Sequence, residues 1–160
     1  MDGGAIFDSS GRYRYLLWRE WDLDKPRLTF VMLNPSTADA TTDDPTIARC
    51  ISFAKKWKFG SLDVVNLFAY RATEPDVLKE AKDPVGPDND WYLERSIAAA
   101  GKVVIAWGNH GLHDDRHRLI VKKFRSRRFY CLGITKLGQP RHPLYVSSNS
   151  PAVLFPVSPK

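Results

Sequence analysis

The chain has 160 residues, 43% of them hydrophobic and 12% aromatic, with 24 Lys and Arg against 18 Asp and Glu for a net charge of +6. That length fits one domain with a core that needs no cross-links. No apolar run approaches the roughly 20 residues that span a bilayer, so no membrane segment is expected. Cys50 and Cys131, the only 2 cysteines, are too few for a disulfide framework or a four-cysteine cluster and read as semi-buried thiols. The stretch "MDGGAIFDSSGRY" has neither a basic region nor a long apolar one, so a secretory signal is not expected and the cytoplasm is the expected compartment.

In chain order, "AIFDSSGRYRYLLWREW" predicts an N-terminal hairpin around an Asp-Ser-Ser-Gly turn. "RLTFVML" is a buried strand, too short and too rich in β-formers for a helix. "DDPTIARCISFAKKWKFG" follows as a helix, with Pro45 in its first turn, Ile47, Cys50, Ile51, Ala54 and Trp57 on one face, and Gly60 as its stop. "LDVVNLFAY" is a second buried strand, "EPDVLKEA" a short helix, and "GPDNDWYLERSIAAAG" a longer one. "KVVIAWG" is a third strand, and "GLHDDRHRLIVKKF" a helix with Leu112, Leu119, Ile120 and Phe124 turned inward. "RFYCLG" is a fourth strand, and the tail is a loop ending in one short element. Short apolar strands alternating with amphipathic helices imply an α/β domain. The expected architecture is a three-layer α/β/α sandwich with a mainly parallel four-stranded central sheet, plus the N-terminal β-hairpin.

Ligands of such sheets sit beyond the carboxyl ends of the strands, which singles out four loops. The first, after Leu33, holds Asn34, Pro35 and Ser36, then Asp39, Asp43 and Asp44. At the second lies Asn66, an amide inside an apolar run, with Arg71 shortly after. A buried amide left without partners costs on the order of 1–3 kcal/mol. Asn66 is therefore either a bracket to a neighbouring loop or a reader of a planar ring, for which its donor–acceptor edge is suited. The third loop carries Asn109 and His110, and the fourth Arg141, His142 and Pro143.

His113 and His117, spaced i,i+4 on the expected helix, would share a face as metal ligands do, but no third ligand is fixed by spacing. The phosphate-binding glycine motifs and the nucleophile elbow are absent from the sequence, and no Ser/His/Asp set is specified. From Arg116 to Arg141 there are nine Lys and Arg and no acid. Such one-sided basicity is either the footprint of a polyphosphate-binding surface or a solvated helix face.

The four loops together resemble the uracil-DNA glycosylase superfamily. "MLNPSTADA" is similar to the first active-site motif of the mismatch-specific uracil/thymine glycosylases, and "VVNLFAYRATEP" to the second-strand motif of the iron–sulfur uracil glycosylases. "VVIAWGNHG" is similar to the third-strand Leu-Trp-Gly segment, and "RHPLYVS" to the closing His-Pro motif. The four occur in the expected order from Met32 to Ser147, and the whole pattern more closely resembles a bacterial and phage domain-of-unknown-function family, number 1643, marked by "LNPSTAD…DDPT".

This resemblance implies that Asn34 orients an attacking water, Asn66 reads a base edge, and His142 hydrogen-bonds the departing pyrimidine oxygen. It implies that Leu144 sits where family members enter the DNA stack. Pro35, Ser36, Asn109 and Arg141 would line the same pocket, and Arg71 with the basic stretch would hold phosphates. Three carboxylates, Asp39, Asp43 and Asp44, are candidates for general base or cation stabiliser, and Asp44 beside Pro45 also suits a helix cap. The cluster cysteines are absent, so neither an iron–sulfur centre nor another cofactor is expected. Ser36 replaces the usual second glycine, no equivalent of the thymine-blocking tyrosine is evident, and the Ser after His-Pro is missing, which leaves the base unspecified.

The expected activity is hydrolysis of the N-glycosidic bond of a flipped-out pyrimidine in DNA. The alternatives are a glycosidase for a free nucleoside or nucleotide, and a catalytically silent nucleic-acid binder.

Overall fold

The computed structural model describes residues 1–156. Strands β1 (Asp2–Phe7) and β2 (Arg14–Glu20) form the N-terminal hairpin, and β2 also pairs antiparallel with β4 (Ser61–Asn66). Beyond β4 come β3 (Arg27–Met32), β5 (Lys102–Ile105) and β6 (Phe129–Cys131), each parallel to its neighbour. β7 (Val153–Phe155) closes the far side antiparallel to β6, giving one seven-stranded sheet in the order β1-β2-β4-β3-β5-β6-β7.

The four-stranded sheet expected from the sequence is corrected by this. The four parallel strands are the middle of a mixed sheet, and the hairpin is part of it. Leu17 of β2 lies opposite Val64 of β4, both fully buried, so the hairpin brings apolar surface to the sheet. It also covers an edge of β4 that would otherwise be open to pairing with another chain.

Alternation along β3 sorts the helices onto two faces. Leu28, Phe30 and Met32 share a cluster with Ile47, Cys50, Ile51 and Ala54 of α1 (Pro45–Lys56). Val31 points the other way, to Leu78 of α2 (Pro75–Glu80), Leu93 and Ile97 of α3 (Asn89–Ala99) and Ile120 of α4 (Arg116–Lys123). The two cysteines are divided between these cores, and both are free and fully buried rather than half-exposed.

The helix expected over residues 111–124 starts only at Arg116. Before it, Asn109–Asp115 is a 3-10 segment broken by His113 at ψ 127 and by Asp114 and Asp115, both at φ 54. Aspartate tolerates that left-handed region better than most residues because its short side chain bonds locally. The break turns Leu112 and Leu119 outward, 40% and 55% exposed, while Ile120 stays in the core. It also removes His113 and His117 from a common helix face. His113 lies against the Phe68 ring, centroids 5.5 Å apart. Among the described residues, no group of three His, Cys, Asp or Glu is arranged to hold a metal. No helix is long and apolar enough to cross a membrane.

The parallel connections decide where the basic run lies. α4 descends from the carboxyl end of β5 to the amino end of β6, so Lys122, Lys123, Arg125 and Arg128 sit at the foot of the sheet. Arg127 marks that level by donating to the carbonyl of Ala100, just before β5. Arg116 is buried and tied to Asp90 at 2.5 Å and to the Leu67 carbonyl at 2.9 Å. Lys136 and Arg141 are the members of the run that lie on the loop following β6, at the other end.

The carboxyl end of β4 is held from behind. The fully buried Asn89 amide donates to the main-chain carbonyls of Asn66 at 2.9 Å and Leu67 at 3.1 Å. Asn89→Ala strips the Asn66 carbonyl of that donor and is expected to lower unfolding free energy by about 1–3 kcal/mol, read from urea denaturation. An unchanged midpoint would show that this bracket contributes nothing to the fold.

Candidate functional site

All four strand-end loops meet around one cleft of about 640 Å³. Main-chain bonds carry the register of the sheet past the strand ends into these loops. Leu67 N–H donates to the Met32 carbonyl, Phe68 to Leu33, and Ala72 to Pro35, with distances of 2.9–3.0 Å. On the other side Gly108 N–H donates to Pro140 at 2.8 Å and the Trp107 indole to Gln139 at 3.0 Å, joining the third loop to the fourth. Gly108 has φ 70 and ψ −170, a conformation open in practice only to glycine, which lets the chain turn sharply off β5.

Asn34, Pro35, Ser36, Asp44, Asn66, Asn109, Arg141, His142 and Leu144 all line this cleft. Asn34 directs its Nδ2 hydrogens at the carbonyls of Ala72 (2.8 Å), Pro35 (3.1 Å) and Tyr70 (3.4 Å). An amide turned that way has its oxygen left over as an acceptor. Asn109 accepts from the Thr135 hydroxyl at 2.6 Å, so its Nδ2 is the group left over.

Asn66 is the unusual member. It ends β4, is 1% exposed, and neither its Nδ2 nor its Oδ1 has a hydrogen-bond partner. Of its two sequence readings, the loop bracket does not describe this side chain. Buried amides without partners are rare in folded proteins, and each such group costs about 1–3 kcal/mol. A donor and an acceptor without a partner among the described residues thus lie buried in a residue of the cleft wall.

His142 has an assigned tautomer. Its Nδ1 accepts the Leu144 N–H at 3.1 Å, which leaves the proton of the neutral ring on Nε2. Burial lowers its pKa from the ordinary value of 6.5, and the negative charge of Asp44 opposes that shift. The ring is therefore a neutral donor at pH 7.

The three aspartates divide. Asp44 lines the cleft while capping α1, accepting from Ile47 N–H at 2.9 Å and Ala38 N–H at 3.3 Å. Asp39 accepts from the amides of Thr41 and Thr42 in its own turn, which pulls its carboxyl below the usual range. Asp43 pairs with Arg19 at 2.9 Å. Neither of these two reaches the cleft wall. Arg71 is likewise occupied: it donates to the carbonyls of Ser36 (3.3 Å) and Gly11 (3.2 Å) and lies over the Phe7 ring. It braces the first loop rather than facing the opening.

Two groups in the cleft wall escaped the sequence reading. Arg14 lines it from the start of β2 and is 2% exposed, and Glu74 stands at its side on the second loop. A hairpin arginine carries no local signal of burial, because only the sheet pairing brings β2 beside the end of β4. Leu144 and Tyr145 form an apolar lip, 37% and 78% exposed.

The His142 assignment has a direct test. Nitrogen-15 NMR of labelled histidine is expected to show a neutral Nε2–H ring with a midpoint below 6.5. In Asp44→Asn, which keeps a capping side chain, the midpoint should drop further because the opposing charge is gone. A midpoint above 6.5, or a neutral Nδ1–H ring, would overturn the assignment.

No curated protein and no solved structure matches the chain. A family model does, over residues 14–144, under the description "Protein of unknown function (DUF1643)". That match runs from the buried Arg14 to Leu144 at the lip and takes in every residue named above as lining the cleft except Tyr145. The chain belongs to the DUF1643 family.

Proposed function

We propose that this protein is a DNA glycosylase-like hydrolase of the uracil-DNA glycosylase superfamily, cutting the N-glycosidic bond of a flipped-out pyrimidine. The observation that carries the reading is the unpaired carboxamide of Asn66, buried in the cleft wall. A base edge supplies the missing acceptor and donor together, which offsets the cost of leaving the amide bare. The resemblance of the four loops to the superfamily's motifs adds to this, and the α/β sheet with helices on both faces is compatible with it.

Breaking the bond leaves an oxocarbenium-like sugar and an anionic base, so the site must stabilise both and admit a water. His142 donates from Nε2 to the pyrimidine oxygen on which negative charge grows. Asn34 accepts from the water through its free oxygen and so holds it for attack at C1′, and the proton the water loses ends on the anionic base, which leaves neutral. Asp44, the one aspartate of its loop in the cleft wall, contributes the negative field that favours the cationic sugar. Leu144 and Tyr145 offer apolar surface at the place where an extruded base leaves a gap in the stack.

A second reading is favoured by the placement of charge. Of the run from Arg116 to Arg128, Lys122, Lys123, Arg125 and Arg128 stand at the foot of the sheet, Arg116 and Arg127 are held in structural bonds, and Arg71 braces a loop. A cleft with few free cations around it suits a free nucleoside or nucleotide as substrate of the same N-glycosidase chemistry.

The deciding experiment uses labelled single- and double-stranded oligonucleotides carrying uracil, mispaired thymine, hypoxanthine or modified pyrimidines, with free nucleosides in parallel. Abasic-site formation is expected, reduced about 100-fold or more in His142→Ala and in Asn34→Ala. Turnover of nucleosides alone would select the second reading, and no product from folded protein on any substrate would sink both. Because the neutral His142 ring accepts the Leu144 N–H at Nδ1 and burial lowers its pKa, the rate should be flat above pH 6.5 and fall at lower pH, as protonation of Nδ1 breaks that bond and releases the ring from its position. Replacing Lys122, Lys123 and Arg125 together by Ala should leave cleavage unchanged, since they stand at the far end of the sheet.

A further inference from the structure

Three arginines packed beside the sheet, Arg19, Arg27 and Arg116, are fully engaged. Arg19 pairs with Asp43 and donates to the carbonyls of Gly4, Trp18 and Asp39. Arg27 bridges Glu20 and Asp63, and Arg116 bonds Asp90 and the Leu67 carbonyl. Arg14 differs from all of them. At 2% exposure it makes, among the described residues, a single side-chain bond, Nη1 to the Ala38 carbonyl at 3.1 Å, forms no ion pair with them, and leaves its Nε buried with no acceptor from them.

A guanidinium carries five donors, and one that is only structural normally places them on carboxylates or carbonyls, as the other three do. Arg14 lines the cleft along with Asn66, and Met32, Ile47 and Val64 give the same lining some buried apolar surface. Burial pushes its pKa down to about 10, with the charge of Asp44 acting in the opposite sense, so it is still a cation at pH 7. Asp44 has both oxygens on backbone amides and does not close an ion pair with it. The cleft wall therefore holds, among the described residues, a charge without an ion-pair partner and an amide without a hydrogen-bond partner. A neutral carbonyl would satisfy a donor and leave the charge unbalanced; an oxyanion does both.

We propose that Arg14 and Asn66 together form a specificity subsite for a pyrimidine-like ring whose inward side carries an oxyanion group, a carboxylate or a phosphate. The inference rests on the reading of the cleft as a base pocket. Asn66 takes the ring's donor–acceptor edge, and Arg14 takes the oxyanion through its free Nε and the remaining Nη hydrogens. Rings that present an amino group to Arg14 meet donor against donor and are rejected.

The test is isothermal titration of the wild-type protein with uracil, cytosine, uracil-5-carboxylate, uracil-6-carboxylate, inorganic phosphate and uridine 5′-monophosphate. An oxyanion-bearing ligand is expected to bind about tenfold tighter than uracil or more, the size of one charge-assisted bond. Which of the carboxylates or phosphates gains the preference identifies the source of the oxyanion. Arg14→Gln should abolish the preference while retaining uracil binding, and Arg14→Lys, which keeps charge without the fork, should retain part of it. Asn66→Ala should weaken all the rings alike. Equal affinity for uracil and every oxyanion ligand in the wild type, a comparison that needs no variant to fold, would overturn the Arg14 inference and leave the base pocket standing. A preference that survives Arg14→Gln would overturn it too. Failure of every ring to bind folded wild-type protein would overturn the base-pocket reading and this inference with it.

Discussion

A parallel sheet ends in main-chain groups that have no further strand to pair with, and this molecule is organised around satisfying them. Where β3, β4 and β5 stop, their loops stay in register for a few residues, and then side chains take over. Asn34 donates to Ala72 and Tyr70, Asn89 to Asn66 and Leu67, Arg71 to Ser36 and Gly11, and Arg116 to Leu67. Each of these is a polar residue with its donors turned onto backbone carbonyls. Buried carbonyls without donors would cost more than the side chains lose by being ordered. Loop positions in the cleft follow from that requirement before any chemistry is considered.

The same accounting isolates the groups with a role left to fill. Four of the groups that the cleft retains, once the structural donors and acceptors are paired off, are the Asn34 oxygen, the His142 Nε2 proton, the Asn66 amide edge and the Arg14 guanidinium. Two are acceptor and donor at the accessible side, and two are buried in the wall. A pocket whose inner wall is polar differs from an apolar cavity in one respect: an occupant must match its donors and acceptors. Binding is then favoured by pairing as much as by burial of area, and selectivity resides in the pattern of donors and acceptors.

Much of the fold was legible in the sequence because its signals are local. Apolar runs such as "RLTFVML" and "LDVVNLF", interrupted by amphipathic stretches, marked the parallel strands and their crossover helices, and Pro45 with Asp44 marked the start of α1. The exceptions share a cause. The hairpin's membership of the sheet depends on Leu17 meeting Val64, 47 residues away in the chain (64 − 17 = 47). The late start of α4 depends on two aspartates adopting left-handed backbone, which no hydrophobic period records. The polar residues of the four loops could be named from the strand-end rule, but the split of Asp39, Asp43 and Arg71 from the others depends on where their partners lie.

By itself the sequence determined the alternation of strands and helices, the parallel block at the centre of the sheet, and therefore the end of the sheet on which polar loops gather. Period and turn chemistry act over a few residues, and they suffice for that. Only the tertiary structure decided which polar groups are used up and which are left facing the cleft. It alone placed Lys122, Lys123, Arg125 and Arg128 at the foot of the sheet, and brought Arg14 from the hairpin into the cleft wall with Asn66. Whether a donor is free depends on every element packed around it, and that sum exists only once the chain is folded.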